Sequence, residues 1–321
     1  MNRIGVLTSG GDAPGMNAAI RAVVRTAIYN QIEVVGIERG YEGLLDETFC
    51  EMDLKSVGDI IQRGGTILKT ARNEEFKTLE GQLKAADNLR RHGIDGLIAC
   101  GGDGTYRGAL ALTKQGINVI GLPGTIDNDM AYTDRTIGFD TAVNTVLQAI
   151  GNIRDTSSSH ERTSIIEVMG RNCGDIAIYS GIGGGADAIL IPELTTDINA
   201  VCKKITDGVS RGKHHTIVIK AEGVDIPINE LAAIIRNNTG QEVRTVVLAY
   251  IQRGGSPTAR DRVMASRMGS HAVRLLKAGK SNLAIGIEGN KITETDLETA
   301  VNMNRKEPDL DLLSLIDILS I

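Results

Sequence analysis

Short apolar segments that alternate with helical patterns constrain this chain more than any other feature of its sequence. The segments are rich in Val, Ile and Leu and show no polar face, which is typical of parallel strands covered on both sides. They are RIGVLT (3–8), EVVGI (33–37), DGLIAC (95–100), NVIGL (118–122), TSIIEV (163–168), AILI (188–191), TIVIK (216–220) and TVVLAYI (245–251). Between them lie amphipathic stretches such as 141–153, where Val143, Val146 and Ile150 share one face. The sequence therefore predicts an α/β protein with doubly wound, mostly parallel sheets.

Length and charge exclude several classes of protein. The 321 residues suffice for about two domains of ~150 residues each. Acidic residues outnumber basic ones by 40 to 35, and aromatic residues make up 3% of the chain, which argues against a nucleic-acid partner. No apolar run reaches the ~18 residues of a membrane span, and the first residues lack the apolar region of a signal peptide. We expect a cytoplasmic protein without a membrane partner.

The cysteines give no sign of a metal or redox site. Cys50, Cys100, Cys173 and Cys202 are widely scattered, and no two of them have the CxxC spacing of a zinc ligand or redox pair. We therefore interpret them as reduced thiols.

A glycine-rich turn follows the first predicted strand. In doubly wound sheets ligands bind beyond the carboxyl ends of the strands, so this turn, TSGGDAPGMN (8–17), is a candidate site. Gly10 and Gly11 allow backbone amides to approach a phosphate at a helix N-terminus, although an ordinary strand-to-helix connection also explains them. A dinucleotide site is disfavoured because the G-x-G-x-x-G spacing is absent, Asp12 would repel a pyrophosphate and Pro14 lacks an N–H.

A second glycine turn, CGGDGTYRG (100–108), follows the third predicted strand. Gly101, Gly102 and Gly104 surround Asp103, so backbone donors and one carboxylate share the same turn. A carboxylate fits among phosphates when Mg²⁺ lies between them, because this cation takes oxygen ligands and uses only one or two carboxylates. The turn predicts a phosphate site with Mg²⁺.

Two carboxylates follow the fourth predicted strand in PGTIDND (123–129). On an extended chain Asp127 and Asp129 would lie ~6.6 Å apart on the same side. One could deprotonate an attacking hydroxyl while the other helps to hold Mg²⁺, and even a weak base is adequate because phosphoryl transfer depends mainly on positioning and charge neutralisation. The alternative is that Asp127 caps a helix and Asp129 is a solvated loop residue.

One short sequence occurs almost twice. Residues 61–66 read IQRGGT and residues 251–256 read IQRGGS. The match is too short to indicate a duplication, and we interpret it as the same turn chemistry used twice. No low-complexity linker divides the chain.

Several of these motifs occur together in one known family. GVLTSGGDAPGMNAAIR, GGDGT, GLPGTIDND, IRDTSSSHER, EVMGRNCGD and IQRGGSP appear in its order and spacing, so the chain resembles bacterial ATP-dependent 6-phosphofructokinase along essentially its whole length. The resemblance implies two Rossmann-like domains, one for ATP (1–138 and 252–304) and one for fructose 6-phosphate (139–251 and 305–321). It also implies a glycolytic enzyme that requires Mg²⁺ and forms a homotetramer, with active and effector sites between subunits.

The resemblance also implies roles for individual residues. Asp127 would take the proton of the 1-hydroxyl of fructose 6-phosphate as this oxygen attacks the γ-phosphorus of ATP. Asp129 would support that arrangement, Asp103 would contact Mg²⁺ and Thr125 would touch the transferring group. Charge on the phosphoryl group would be neutralised by Gly11, Arg72 and Arg171.

The resemblance also implies which residues bind each of the two substrates. The implied ATP-binding residues are Gly11, Tyr41, Arg72, Asn73, Gly102, Asp103, Gly104, Thr105 and Gly108. For fructose 6-phosphate they are Thr125, Asp127, Met169, Gly170, Arg171, Glu222, Tyr250 and Arg253 of one subunit, with Arg162 and Arg244 of its neighbour. The alternative for each arginine is a solvated surface charge.

Two other functions are disfavoured. In pyrophosphate-dependent relatives the positions of Gly104 and Gly124 typically carry Asp and Lys, and two glycines here favour ATP. A non-catalytic sensor of nucleotides or sugar phosphates would not need Asp103, Asp127 and Arg72 together, which makes it the weaker alternative.

The chain departs from the family pattern at some positions. Tyr250 replaces a more usual His, and Tyr is longer and neutral at pH 7. The residues that match the family's effector site are Arg21, Arg25, Arg154, Gly185, Asp187, Arg211, Lys213 and His215. However, Leu54 stands where Arg is usual, Asp187 where Glu is usual and His214 where Lys is frequent. We therefore expect weakened allosteric control.

The histidine pair and the C-terminal segment do not predict a binding site. Adjacent residues of a strand point to opposite faces, so the His214–His215 pair does not predict a metal site. The final segment DLLSLIDILSI is interpreted as a packed helix.

Overall fold

The computed structural model describes residues 1–304 and 307–320, which form two compact units. Unit 1 comprises residues 1–126, 130–141 and the described part of 253–305. Unit 2 comprises residues 127–129, 142–252 and the described part of 306–321. The predicted assignment of ATP to one domain and fructose 6-phosphate to the other stays a prediction at this point.

Strands and helices alternate through most of the chain. In chain order the strands are β1 (Arg3–Thr8), β2 (Glu33–Ile37), β3 (Phe49–Met52), β4 (Gly96–Gly101), β5 (Val119–Thr125), β6 (Ile137–Gly138), β7 (Thr163–Val168), β8 (Ala188–Leu190), β9 (Thr216–Ala221), β10 (Val243–Val247), β11 (Leu283–Glu288) and β12 (Lys291–Asp296). The α-helices are α1 (Met16–Tyr29), α2 (Tyr41–Leu45), α3 (Leu79–Arg91), α4 (Asp103–Lys114), α5 (Phe139–Ser159), α6 (Asp175–Gly183), α7 (Ile198–Ser210), α8 (Ile228–Thr239), α9 (Ala259–Lys277), α10 (Leu297–Asn302) and α11 (Leu310–Leu319). Single 3₁₀ helices cover Glu75–Lys77 and Ala249–Arg253.

Unit 1 contains an eight-stranded sheet with the order β12-β11-β5-β4-β1-β2-β3, in which β6 also pairs with β5. Its central strands are parallel, and β3 and β12 run antiparallel to their neighbours. Buried side chains of β1, β2, β4 and β5 pack with those of α3 and α4 in one apolar core. The register aligns Thr8 with Cys100 and Gly101 with Pro123, so β1, β4 and β5 end at the same edge of the sheet.

Unit 2 contains a four-stranded parallel sheet with the order β10-β7-β9-β8. Val168 pairs with Ala221, and Val247 pairs with Glu167, so β7, β9 and β10 also end at one edge. Helix α11 packs against α6 and β8, as expected for the C-terminal segment, whose last residue lies outside the described residues. Within residues 1–304 and 307–320, none of the helices combines the length and apolar character of a membrane span.

Most predicted strands are present, and β1, β2 and β7 have the predicted bounds. The prediction of a strand over 245–251 is wrong at its end. Strand β10 stops at Val247, and the chain then turns into a 3₁₀ helix in which Ala249 has a φ of 44°. The left-handed conformation of Ala249 cannot continue a strand.

Candidate active site

The turn after β1 in unit 1 is fixed by hydroxyl and glycine contacts. Thr8 Oγ1 lies 2.8 Å from Thr66 Oγ1 and donates to the Lys69 carbonyl at 3.0 Å. Gly10 has a φ of 82°, which glycine adopts without strain. A Cβ at Gly11 would lie 3.1 Å from a guanidinium nitrogen of Arg253. The Gly11 backbone therefore sits directly beside a cationic side chain.

The turn after β4 leads straight into α4, whose first residue is Asp103. A Cβ at Gly101 would overlap the Ser9 carbonyl, so glycine is needed there for packing. A Cβ at Gly104, in contrast, would have no described neighbour within 4 Å. The Asp103 carboxylate is 43% exposed and pairs with Arg107 at 2.9 Å in the first turn of the helix. The turn thus offers open space and an accessible carboxylate.

Tyr41 and Thr105 form a packed wall beside this turn. The Tyr41 hydroxyl donates to the Thr105 carbonyl, and its ring stacks on Phe76 with centroids 4.2 Å apart. Burial raises the pKa of Tyr41 well above its ordinary value. A Cβ at Gly108 would lie 2.5 Å from the Tyr41 ring. The Thr105 side-chain oxygen is buried, and within the part of the chain that the structure describes it has no hydrogen-bond partner.

The remaining positions that the sequence assigned to ATP in unit 1 lie on loops. Asn73 Oδ1 accepts from the Phe76 amide at 2.9 Å and so initiates the 3₁₀ helix Glu75–Lys77. Arg72 is exposed next to it. A Cβ at Gly102 would lie 3.5 Å from the Cβ of Thr125, which places the ends of β4 and β5 side by side.

The carboxylates of Asp127 and Asp129 lie in unit 2 and contact the same arginine. Arg171 Nε lies 3.2 Å from Asp127 Oδ2, and Arg171 Nη1 lies 3.9 Å from Asp129 Oδ2. Asp127 is buried, whereas the Arg171 side chain is 53% exposed. The expectation of an extended chain is wrong here, because Asn128 has a φ of 53° and the backbone bends. The two carboxylates nevertheless reach the same guanidinium.

The loop after β7 holds Arg171 in place through its backbone. The Arg171 amide donates to Glu222 Oε1 at 2.8 Å, and Arg171 itself has a left-handed φ of 54°. Gly170 has a φ of 131°, and a Cβ at Gly223 would overlap the Arg171 carbonyl. The residues from Met169 to Arg171 and Glu222, all assigned to fructose 6-phosphate in the sequence, therefore belong to one tightly packed strand end.

The comparisons with known proteins identify one family. The family model described as "PFK: Phosphofructokinase" matches residues 3–276. An ATP-dependent 6-phosphofructokinase of Clostridium tetani is 58% identical over 306 residues, which cover 95% of this chain and 96% of the relative. A protein of the same name from Clostridium botulinum is 57% identical over 320 residues and covers both chains completely. The chain belongs to the phosphofructokinase family.

Solved structures of the phosphofructokinase family confirm the predicted fold. Phosphofructokinase from Saccharomyces cerevisiae superposes with a TM-score of 0.89 at 34% identity. The match covers 99% of this chain but only 46% of the yeast chain, so this chain spans about half its length. Pyrophosphate-dependent phosphofructokinase from Marinobacter aquaeolei, at 23% identity, shows the same fold with a TM-score of 0.87.

Two arginines that the phosphofructokinase resemblance assigned to the 6-phosphate converge on one acid in unit 2. Arg162 Nε lies 2.8 Å from Glu242 Oε2, and Arg244 Nη2 lies 2.6 Å from Glu242 Oε1. The hydrogen bond from Arg162 lowers the pKa of Glu242. Sequence reasoning missed Glu242, although its place two residues before Arg244 was a usable signal. Tyr250 is largely exposed.

Part of the family's effector pattern is also assembled in unit 2. Arg154 donates to the carbonyls of Gly184 and Gly185 and lies 3.4 Å from His215 Nε2. Lys213 pairs with Asp187. Burial, and next the charge of Arg154, lowers the pKa of His215.

The other effector positions are dispersed over helices and loops. His214 pairs with Glu161 at 3.2 Å. Arg211 follows α7 in unit 2, Arg21 and Arg25 lie on α1 in unit 1, and Leu54 is exposed in unit 1.

Two further buried charged groups were not predicted from the sequence. Asp261 is fully buried in unit 1 and accepts from the amide and hydroxyl of Thr141 at 2.9 and 2.6 Å. Burial raises its pKa to about 6. Lys220 in β9 is buried beside Glu167 at 2.9 Å, and its charge within an otherwise apolar strand was a signal that could have identified it.

Proposed function

We propose that this chain is an ATP-dependent 6-phosphofructokinase. It transfers the γ-phosphoryl group of ATP to the 1-hydroxyl of D-fructose 6-phosphate and yields fructose 1,6-bisphosphate and ADP. The observation that carries the proposal is the buried Asp127 carboxylate held by Arg171 at 3.2 Å. A buried carboxylate can accept the proton of the attacking hydroxyl, and the adjacent guanidinium can neutralise charge on the phosphoryl group.

Asp127 acts as the base in this reaction. It takes the proton of the 1-hydroxyl while that oxygen attacks the γ-phosphorus. Arg171, which also contacts Asp129, balances the carboxylate charges and carries an exposed side chain that can turn towards the phosphoryl oxygens. Arg72, the Gly11 amide and Thr125 complete the set that acts on the transferring group. Their work is positioning and charge neutralisation, which dominate phosphoryl transfer.

The glycine turns of unit 1 bind the nucleotide. Gly104 has space where a side chain would stand, and the buried Thr105 hydroxyl offers a donor whose partner a phosphate can supply. Gly102, Asn73, Tyr41 and Gly108 shape the surroundings. This open turn supports ATP over pyrophosphate, because an acidic side chain at position 104 would occupy the region of the α-phosphate.

Asp103 fits a magnesium site. Its carboxylate is 43% exposed at the start of α4, and Mg²⁺ is commonly held by one or two carboxylates together with substrate phosphates. Bound Mg²⁺ neutralises phosphate charge and orients the triphosphate. ATP phosphate oxygens and water would supply the remaining ligands.

We further propose that the chain works as a homotetramer. The 6-phosphate is then bound by Arg162 and Arg244 of the neighbouring subunit, whose guanidinium groups suit phosphate oxygens. Glu222, Met169, Gly170, Tyr250 and Arg253 bind the sugar from the first subunit. Glu242 keeps both arginines oriented before the phosphate arrives.

Effector control of this enzyme is weakened. The exposed Leu54 cannot bind an anion, and Lys213 and Arg154 already have partners within unit 2. Loss of one or two charge-assisted bonds would remove about 1.5–3 kcal/mol each from effector binding. We expect phosphoenolpyruvate at low millimolar concentration to change the saturation curve for fructose 6-phosphate only slightly. Strong sigmoidality under those conditions would contradict this part of the proposal.

The test is the steady-state rate of fructose 1,6-bisphosphate formation with ATP or pyrophosphate as donor, with and without phosphoenolpyruvate. We expect turnover with ATP alone. Turnover with pyrophosphate would overturn the donor assignment, and no turnover with either donor would favour a non-catalytic sensor of the same ligands.

A further inference from the structure

The two nearly identical turns of the sequence place their glutamines in different surroundings. Gln62 lies in the first IQRGG sequence, is exposed and donates to the Asp59 carbonyl at 3.0 Å. Gln252 lies in the second IQRGG sequence and is 0% exposed. The same local sequence therefore has a solvent-facing glutamine once and a completely buried one once. Turn chemistry alone does not require the buried amide.

The buried amide of Gln252 connects two backbone segments of unit 2. Its Oε1 accepts from the Met169 amide at 3.1 Å, directly after β7. Its Nε2 donates to the Ala249 carbonyl at 3.1 Å, within the 3₁₀ helix Ala249–Arg253. One side chain thus satisfies a donor at one strand end and an acceptor at another.

Both connected segments have conformations that need support. Ala249 has a φ of 44°, and Arg171, two residues after Met169, has a φ of 54°. Left-handed non-glycine residues persist only where the surrounding structure holds them, and they concentrate at functional sites. Glu222 accepts from the Arg171 amide, and Gln252 accepts from the Met169 amide.

We propose that Gln252 is a positioning residue for the sugar phosphate, an inference that rests on the proposed function. It acts through the Met169–Arg171 loop and through the turn that carries Tyr250, and it fixes these two backbone segments at one spacing. The neutral amide supplies an acceptor and a donor at once in this place, which an ionised carboxylate cannot do. A carboxylate would face the Ala249 carbonyl with a second acceptor, and an apolar side chain would leave both backbone groups unsatisfied.

The test compares Gln252→Glu with Gln62→Glu, the same change in the exposed copy of the motif. At pH 8 we expect Gln252→Glu to raise KM for fructose 6-phosphate about 10- to 100-fold, the range for one disrupted buried hydrogen bond. KM for ATP should stay within about twofold of the wild-type value. Gln62→Glu should leave both constants unchanged.

The pH dependence separates positioning from general damage to the fold. Burial raises the pKa of the carboxyl introduced by Gln252→Glu, and in its protonated form that carboxyl offers the same donor and acceptor as the glutamine amide. The ratio of KM for fructose 6-phosphate in the variant to that in the wild type should therefore decrease as pH falls from 8 to 6. A ratio that does not change with pH, or equal increases in both KM values, would overturn the proposal.

Hydrogen exchange tests the same inference without activity. In the wild type the Met169 amide should exchange slowly, and Gln252→Met should accelerate exchange in peptides that cover 168–172 and 248–251. Fast exchange of the wild-type Met169 amide would refute its hydrogen bond to Gln252, even if no substituted protein folds. If the wild type shows no phosphofructokinase activity but this protection pattern is found, the proposed function fails while the bridge stands.

Discussion

The strand ends of the two units are built from different materials. In unit 1 the turns after β1 and β4 consist mainly of glycine, with open space at Gly104 and an exposed carboxylate at Asp103. In unit 2 the segments after β7 and β9 carry charged side chains. Arg171 contacts two carboxylates, and Glu222 accepts from the Arg171 amide. The first arrangement suits a ligand bound through backbone amides, and the second suits one bound through side chains.

The difference determines which substitutions are informative in each unit. In unit 1 the decisive question is which charge a new side chain brings into the open turn, because the proposed binding groups belong to the backbone. In unit 2 it is which charge loses its partner. Substitutions in the two units should therefore change different kinetic constants.

Removing the proposed base in unit 2 should have the largest effect. We expect Asp127→Asn to lower kcat by about 10²–10⁴, the usual contribution of a positioned general base, with little change in either KM. Asp207→Asn, an exposed position on α7, is the matched control. A fall in kcat of less than tenfold would show that Asp127 is not the base.

A charge added in unit 1 should act through electrostatics rather than sterics. Gly104→Ala should be nearly neutral, because no described atom lies within 4 Å of the new Cβ. Gly104→Asp has the same space but should raise KM for ATP about 100-fold, since like charges brought together cost several kcal/mol. Steady-state kinetics with varied ATP measure both variants. Equal effects of the two substitutions would show that packing, not charge, controls this turn.

Removing one arginine in unit 2 should affect only the sugar phosphate. Arg244→Ala should raise KM for fructose 6-phosphate about tenfold or more, because bonds to charged groups are worth ~1.5–3 kcal/mol. KM for ATP should hardly change. Lys203→Ala removes an exposed cation of the same unit and serves as the control. Comparable increases in both KM values for Arg244→Ala would remove this arginine from the sugar-phosphate site.

Asp261 sharpens the contrast because it is an acid of unit 1 that is hydrogen-bonded by neutral donors. Its pKa is raised to about 6, so the folded state binds its proton more tightly than the unfolded state. Its stabilising contribution is therefore complete below the unfolded pKa near 4 and is lost as pH rises through about 6.

Urea unfolding of the wild type and Asp261→Asn at pH 4.5 and 7.5 measures this contribution. The free energy of unfolding of the wild type, relative to the variant, should fall by about 2 kcal/mol between the two pH values. A difference that stays constant or rises with pH would show that the Asp261 carboxyl does not have a raised pKa.

The sequence predicts the fold well where the signal is local. Apolar runs without a polar face identify the central strands, and the glycine turns after β1 and β4 mark the strand ends. Strands β3, β6, β11 and β12 were not predicted. Strands β3 and β12 pair antiparallel at the ends of the sheet and have partly exposed residues, and β6 has only two residues. Strand β11 (LAIGIE) is buried and apolar, so its pattern was a usable signal that the prediction overlooked.

The contacts within the candidate site are harder to predict, because the residues that form them are far apart in sequence. Asn128 is a residue type that tolerates left-handed backbone, but nothing in PGTIDND indicates the pairing with Arg171. Gln252 and Met169 are 83 residues apart, so their contact exists only once β7 and the 3₁₀ turn are folded. Gly124 illustrates the same limit. From the sequence we interpreted Gly124 as leaving space for a nucleotide. A Cβ added there would lie 2.7 Å from the Cys100 sulfur, so packing also requires glycine at this position.

The most direct test of this division between the units is to measure KM for ATP and for fructose 6-phosphate in parallel for Gly104→Asp and Arg244→Ala. The expected result is a double dissociation, in which Gly104→Asp raises only KM for ATP and Arg244→Ala raises only KM for fructose 6-phosphate. If each variant raised both constants to a similar extent, the assignment of the nucleotide to the glycine turns and of the sugar phosphate to the charged side chains would be wrong.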